Sequence, residues 1–416
     1  MFIIKTSVSN KGFKNLRLKE LIASGGAGKI FKTNFENLVA KIYITDKDKK
    51  LYENKVLSML SKPPKGIDFN KKLPQLAWPV GAIYEKNKFQ GFLMPEIDFK
   101  GTVSLERMLQ KKMRKSVNLP EFYGYRISVA YNVAACILKL HNLGYYVIDF
   151  KPVNCRLNPK TMNISIIDCD GFSVLDDNKE RHPSYQYTPE YIAPEAKNKK
   201  PEDLGLQQDN FCLAVIIFRL LNNGLHPFQS KIKSGKNLGT IQDLVNKEAY
   251  GYGVKISKKF GPAVQSIHEF FPKNIRELFD NAFTKRIRPT AREWVNILRD
   301  YADPSSGKLI KCEVVPEEHA HFGLGCGFCA LLIKNKKTKS QPKKRSQSKT
   351  NNLSSLKVTL ANKTPNINRS INKNNIAKLL ELKSITIISR IPFYVWLILV
   401  IVNMFLIAVV ETEVLN

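Results

Sequence analysis

Apolar residues in the first third of the chain come in short runs bounded by glycine and polar residues, a pattern of strands joined by turns. Leu21, Ile22 and Ala23 lead into a glycine-rich turn, and Ile30 and Phe31 leave it. Leu38, Val39 and Ala40 begin a β-rich run that carries Lys41. The period then changes. Between Lys47 and Leu60, Leu51, Val56, Leu57, Met59 and Leu60 predict an amphipathic helix. Farther on, the apolar run Ile164, Ile166 and Ile167 predicts a strand ending at Asp168. Hydrophobic periodicity disappears over residues 334–373, where Lys, Ser, Asn, Gln and Thr dominate. Such a stretch buries too little surface to fold alone and is expected to be a flexible tether.

Residues 391–410 are twenty in a row without a charge, the length that crosses a bilayer core as a helix. Asn403 is the strongly polar residue within them, Tyr394 and Trp396 lie near one end, and Arg390 precedes them. The expectation is one transmembrane helix over 390–411 with the preceding domain in the cytoplasm, anchored in a bacterial inner membrane.

Charge changes this picture in one place. The formal net charge is +30, and between Leu331 and Arg390 fifteen Lys/Arg face a single acidic residue, Glu381. About half of the excess therefore sits in the tether. Beside anionic headgroups each such residue contributes roughly 1 kcal/mol of attraction, so the membrane is an expected partner of the helix and of this basic linker. The tether has no interleaved aromatics to stack on bases, and no nucleic-acid partner is expected. The remaining charge is spread thinly through an Asn-, Ile- and Lys-rich composition. Seven irregularly spaced cysteines, and no leader pattern at Met1, suggest a reducing, cytosolic setting for the bulk of the chain.

The chemistry concentrates between Val147 and Phe172. Asp149, Lys151 and Asn154 lie within six residues, and Asp168 closes a strand fourteen residues later. A base, a phosphate contact and two magnesium ligands in this layout suit phosphoryl transfer, which proceeds by positioning and charge neutralisation. Upstream, Gly25, Gly26 and Gly28 crowd one turn, and Lys41 follows thirteen residues after Gly28. Backbone N–H groups free of side chains can close over phosphates while the Lys41 ammonium neutralises them. Glu53, on the predicted helix, is placed to reach Lys41.

These residues resemble the eukaryotic-type protein kinase domain from about Leu21 to Arg299. Residues 23–30 sit where the Gly-rich loop falls, and Val39-Ala40-Lys41 is similar to the end of the β3 motif. Glu53 is similar to the helix αC glutamate. Gly91 to Glu96 look like the hinge strand, with Met94 and Glu96 near the adenine edge. Asp149, Lys151 and Asn154 resemble the catalytic loop, and Asp168 the metal-binding Asp. Tyr187 to Glu195 resemble the end of the activation segment, Asp209 the start of helix αF, and Arg288 the late arginine that pairs with Glu195. The resemblance implies an α+β fold of two lobes, a small β-rich N-lobe and a larger helical C-lobe, over residues 1–303. It also implies ATP with Mg2+ or Mn2+, a protein Ser/Thr kinase activity and a protein substrate.

The departures carry information. Val147-Ile148 replace the His-Arg that precedes the catalytic Asp, so activity is expected to be independent of activation-loop phosphorylation. Ala23 replaces the first loop glycine. Asp168-Cys169-Asp170 replaces the Asp-Phe-Gly motif, and Asp170 is a candidate to share the magnesium site. These substitutions resemble a divergent bacterial branch of kinase-like proteins, some with a Cys/His segment after the kinase domain. Here Cys312, His319, Cys326 and Cys329, with His321 nearby, suggest a zinc-knuckle-like segment over 304–332 holding a closed structural Zn2+ site, before the linker of 333–389 and a tail of 412–416. A pseudokinase or scaffold that binds nucleotide or partners without catalysis is the alternative reading.

Overall fold

The computed structural model describes residues 2–5, 15–64, 74–234 and 239–340. Met1–Lys336 form one compact unit. Its small lobe is a six-stranded antiparallel sheet of β1 (Phe2–Lys5), β2 (Leu18–Ser24), β3 (Gly28–Thr33), β4 (Leu38–Tyr43), β5 (Gly81–Glu85) and β6 (Lys88–Pro95), in the order β1-β5-β6-β4-β3-β2. The two-residue period of a strand decides what each face of β4 carries. Val39, Lys41 and Tyr43 share the face turned to the main core, and Ala40 packs on the other with Leu16, Ile83 and Leu93. Lys41 is thereby 8% exposed, an ammonium that must find partners inside.

Helix α1 (Asp46–Ser61) begins where the Thr45 side chain accepts the Asp48 N–H at 3.0 Å, with Asp46 and Asp48 complementing the positive end of the helix. It buries Tyr52, Lys55, Val56, Met59 and Leu60, the spacing of a single stripe. Leu57, read from the sequence as part of that stripe, points outward.

The large lobe opens with β7 (Val103–Ser104) and the short helices α2 (Glu106–Leu109) and α3 (Lys111–Ser116). The long helix α4 (Tyr123–Asn142) then leads to β8 (Cys155–Leu157) and β9 (Ile164–Ile166), which join β7 in a small sheet. The hairpin β10 (Val174–Leu175) and β11 (Arg181–His182) precedes helix α5 (Leu206–Leu221). Next come β12 (Lys231–Ile232), α6 (Ile241–Asn246), β13 (Phe260–Gly261), α7 (Lys273–Phe283) and α8 (Ala291–Ala302). Helix α5 is apolar nearly all round and buried nearly all round, as befits the axis of the lobe. Between the lobes, Trp78 donates its Nε1–H to the Met59 carbonyl at 2.9 Å and meets Tyr145 and Phe172 with its ring.

The Cys/His segment forms a hairpin, β14 (Ile310–Lys311) with β15 (Ala320–His321), followed by helix α9 (Gly327–Ser340). It is docked on the large lobe. Phe322 and Phe328 pack edge-on against Tyr123 at 6.0 and 5.0 Å between ring centroids, and the Tyr123 N–H donates to the Glu318 carbonyl at 2.9 Å. A Cβ at Gly327 would lie 2.9 Å from both Ile267 and Phe270, so glycine lets α9 start hard against the lobe. Helix α9 passes through the boundary expected at residue 332, and 333–340 are helical rather than a flexible linker.

The membrane-anchored architecture and the single-pass localisation are corrected: among the described residues no helix is long and apolar enough to cross a membrane. Residues 391–410, on which that expectation rested, lie outside the described residues.

Candidate active site

The catalytic loop is held from below by one buried carboxylate. Asp209 of α5 accepts the N–H groups of Val147 and Ile148 at 2.7 and 2.6 Å, and His141 Nε2 lies 3.0 Å from it. Ile148 adopts φ +61°, a left-handed conformation that costs a branched residue about 1–2 kcal/mol, and these bonds to Asp209 hold it there. The next residue, Asp149, is turned toward the cleft. Lys151 Nζ donates to its Oδ2 at 2.6 Å, Thr188 Oγ1 donates to its Oδ1 at 2.7 Å, and Lys151 and Thr188 are 2.6 Å apart. This closed triangle ties the loop to the activation segment. Asn154, in the turn that follows, donates Nδ2–H to the Asp149 carbonyl at 3.2 Å.

Asp168 ends the strand run in a left-handed conformation, φ +60° and ψ +39°. Its side chain is half-exposed on the cleft, whereas Asp170, two residues later, is 3% exposed. Lys41 Nζ lies 3.0 Å from Asp168 Oδ1 and 2.8 Å from each oxygen of Asp170, and Tyr43 donates its hydroxyl to Asp170 Oδ2 at 2.9 Å. Burial favours the neutral Lys41 amine, but Asp170 and Asp168 outweigh it and its pKa is raised. Burial and the neighbouring Asp170 push the Tyr52 phenol up to about 12.

The expected bond between Glu53 and Lys41 is absent. Glu53 accepts the Tyr84 hydroxyl at 3.0 Å instead. Successive helical residues point about 100° apart, and α1 turns Tyr52 to the cleft, stacked on Tyr43 at 4.9 Å and 10°. At Glu96 the N–H donates to the Asn37 carbonyl at 2.8 Å and the carboxylate pairs with Lys32. Met94 lies opposite Val39 across β4 and β6, both buried. In the Gly-rich loop, Gly25 N–H donates to the Gly28 carbonyl at 2.9 Å. Gly28 lies against Lys41, since a Cβ there would approach Lys41 Cγ at 3.3 Å and the Ile42 carbonyl at 3.0 Å; around Gly26 there is open space.

One cleft is thus lined by Lys41, Asp149, Asn154, Asp168 and Asp170, together with Tyr52 and Gln186. Gly25, Gly26, Gly28, Val39, Met94 and Lys151 are not among its lining residues. Sequence reading assigned no role to Tyr43, Tyr52, Thr188 or Gln186. A hydroxyl directly before Pro189 was the one available signal, for Thr188. Behind the activation segment Arg288 grips Glu195 at 2.6 and 2.7 Å while stacking over Phe211 at 4.9 Å, the pairing expected of these two residues.

A second cluster stands apart from the cleft. The Sγ atoms of Cys312, Cys326 and Cys329 and a ring nitrogen of His319 all lie within 4.8 Å of one another. Cys312 N–H donates to the His319 carbonyl at 3.1 Å across the hairpin, and Cys326 ends the chain before α9. Glycines at 323 and 325 take φ of +86° and +87°, which turns the backbone back toward the cluster. His321, the alternative fourth residue, is outside the group; its Nδ1 accepts the Gly323 N–H at 3.2 Å.

A lysine beneath a glycine loop, an asparagine and three carboxylates around one cleft, and an α5 carboxylate bracing the loop that carries Asp149, agree with one family. Residues 83–297, just over half of the chain, match the protein kinase domain, and the chain belongs to that family. It is a divergent bacterial Ser/Thr kinase-like chain. It is 26% identical over 326 residues to protein kinase YegI of Escherichia coli O157:H7, covering 74% of this chain and 48% of that one. It is 32% identical over 111 residues to serine/threonine-protein kinase Sgk2 of Homo sapiens, covering 24% of this chain and 27% of that one. The chain spans about half the length of the YegI relatives it matches.

Proposed function

We propose that this chain transfers the γ-phosphoryl group of ATP to Ser or Thr hydroxyls of proteins. The observation that carries the reading is the convergence of Lys41, Asp149, Asn154 and Asp168, from three separate stretches of chain, on one cleft. Asp149 takes the proton of the acceptor hydroxyl as its oxygen bonds to the γ-phosphorus, and the bond to the β-phosphate oxygen breaks to leave ADP. Lys151 steadies the γ-phosphate, and Lys41 meets the α- and β-phosphates under the loop of Gly25, Gly26 and Gly28. Asn154 and Asp168 are the residues that would hold Mg2+ or Mn2+, whose charge offsets that of the phosphates. Asp168 fits this role because its carboxylate faces the cleft half-exposed.

The test is incorporation of labelled γ-phosphate by the full chain into a Ser- and Thr-containing acceptor protein, beside Asp149→Ala and Asp168→Ala. Label on Ser or Thr that falls at least about a thousandfold in both variants is the expected result. Nucleotide binding without any incorporation would make the chain a pseudokinase and overturn the reading.

We infer further that Cys312, His319, Cys326 and Cys329 hold one structural zinc ion. What supports this is fit. Tetrahedral bonds of about 2.3 Å to sulfur and 2.0 Å to nitrogen put ligand atoms roughly 3.5–3.8 Å apart. Here Cys312 and Cys329 sulfurs are 3.5 Å apart, and His319 Nδ1 is 3.7 and 3.6 Å from Cys326 and Cys329. Four protein ligands leave no position for a reacting water, so the role is to fasten the hairpin to α9.

A further inference from the structure

Lys41 requires a fixed carboxylate to keep its ammonium extended toward phosphates, and there are two candidates: Glu53 on α1 and the second acid after β9, Asp170. The first is engaged elsewhere, by the Tyr84 hydroxyl at 3.0 Å. The second is built in. Asp170 lies 3% exposed at the foot of β4, both its oxygens 2.8 Å from Lys41 Nζ, and its Oδ2 also takes the Tyr43 hydroxyl at 2.9 Å. A buried carboxylate with a donor on each oxygen is a satisfied group, not a vacant metal ligand. Asp168, half-exposed and reached by Lys41 through a single oxygen at 3.0 Å, keeps its other oxygen for a cation.

From this geometry we propose that Asp170 is the positioning residue that anchors Lys41, and that it takes the place of the helix carboxylate rather than serving as a further magnesium ligand. The inference rests on the reading of the cleft as a phosphoryl-transfer site. Its consequence is a change in what controls the site. When the anchor lies on the helix, swinging the helix outward removes it. Here the anchor follows Asp168 by two residues in the turn of Cys169–Gly171, so Lys41 and the metal-binding carboxylate are set by one rigid piece of backbone. Tyr43, two residues beyond Lys41 on the same face of β4, orients the anchor from the other side. Helix α1 contributes Tyr52, which stacks on Tyr43 and carries no charge to the cleft at neutral pH.

The experiment compares Asp170→Asn, Asp168→Asn and Glu53→Gln in the full chain, each checked for a folded state by its cooperative thermal transition. Binding of a fluorescent ATP analogue is measured in EDTA, where no metal contributes, and again across a Mg2+ titration. An anchor of Lys41 predicts that Asp170→Asn weakens metal-free binding about tenfold or more and leaves the Mg2+ concentration at half-saturation unchanged. Asp168→Asn should do the reverse, and Glu53→Gln should leave metal-free binding as it is. For turnover, a displaced Lys41 should lower kcat/KM about a hundredfold, most of it in KM for ATP. A double variant, Asp170→Asn with Tyr52→Glu, returns a carboxylate to the cleft wall from the helix and should recover part of the metal-free affinity.

Metal-free binding retained in Asp170→Asn, with a raised Mg2+ requirement, would make Asp170 a metal ligand and overturn the proposal. Loss of metal-free binding in Glu53→Gln would return the anchor to the helix and also overturn it. Both readouts stand whether or not the protein turns over, so a chain that binds nucleotide without transferring phosphate tests the anchor all the same.

Discussion

Lys55 of α1 donates its Nζ–H to the carbonyl oxygen of Pro183 in the activation segment at 2.9 Å, in a site 1% exposed. Beside it, Ser58 Oγ lies 3.0 Å from His182 Nε2, and Tyr52 meets Tyr185 edge-on at 6.3 Å. One face of the helix therefore meets the activation segment, at a lysine with no ion-paired carboxylate among the described residues.

The consequence is a pH-dependent stability with a definite sign. Burial lowers the Lys55 pKa to about 7, Asp170 opposing and Lys41 reinforcing the shift. Below that pH both the folded and the unfolded chain carry the proton. From about 7 to 10.5 the unfolded chain binds it and the folded chain does not, so stability rises with pH across this window. The penalty relieved is on the order of a few kcal/mol. Lys55→Met removes it at every pH, together with one hydrogen bond. Urea midpoints at pH 7 and 9.5 should converge between the two proteins as pH rises. Parallel midpoints across that window would show that Lys55 does not titrate there.

The Cys/His cluster yields a prediction about stability rather than catalysis. Its hairpin and α9 are fastened to α4 through Tyr123, Phe322 and Phe328, with Arg126 stacked over Tyr123 and Phe328 at 4.6 and 5.0 Å. Elemental analysis of the purified full chain should find one zinc per molecule, and none in a Cys326→Ser, Cys329→Ser double variant. The apo form should melt roughly 5–10 °C lower while nucleotide affinity stays unchanged, because the cluster lies outside the cleft. An unchanged Tm on removing the metal would leave the cluster as free thiols.

How legible this was depended on whether a feature is local. The order of the kinase motifs could be read because each is a short run whose chemistry is its own: Asp149 with Lys151 and Asn154, Arg288 with its distant but recognisable Glu195. Side chains whose role depends on rotation of an element could not. Whether Tyr52 or Glu53 faces the cleft is a matter of about 100° on α1, and an amphipathic stripe that wrongly included Leu57 could not decide it. The partner of Asp170 is 129 residues away, on a strand whose alternation alone explains why Lys41 is interior. The bond from the Glu96 N–H to Asn37 is equally nonlocal, since it forms only once β4 and β6 pair.

The loop before Asp149 bears on regulation. Ile148 occupies the place where the family resemblance expects an arginine, and it is fully buried. Arg181, in the adjoining hairpin, already donates to the Gly144 and Ser173 carbonyls and stacks over Tyr146 at 4.5 Å. A phosphate on the activation segment would find no guanidinium at position 148, and that of Arg181 is already engaged. Thr188 instead ties the segment to Asp149 directly, at 2.7 Å. Phosphatase treatment should therefore change kcat by less than about twofold, whereas Thr188→Ala should lower it by about ten- to a hundredfold through a loosened Asp149. Activity that needs phosphate on the segment, or a Thr188→Ala enzyme as fast as the parent, would contradict this.

The Gly-rich loop supplies a test in which two chemically identical changes should differ. At Gly28 a methyl group would meet the Ile42 carbonyl at 3.0 Å and Lys41 Cγ and Cε at 3.3 and 3.4 Å. The methyl is tightest on the Ile42 carbonyl and next on the side chain whose ammonium is held by Asp170, so part of the relief comes at the expense of the Lys41 position. At Gly26 nothing lies within 4 Å of the added methyl. Gly28→Ala should raise KM for ATP about tenfold or more with little change in Tm, and Gly26→Ala should stay within about threefold of the parent. Equal effects at the two positions would mean that the loop acts through backbone freedom alone, and that contact between Gly28 and Lys41 plays no part in holding the nucleotide.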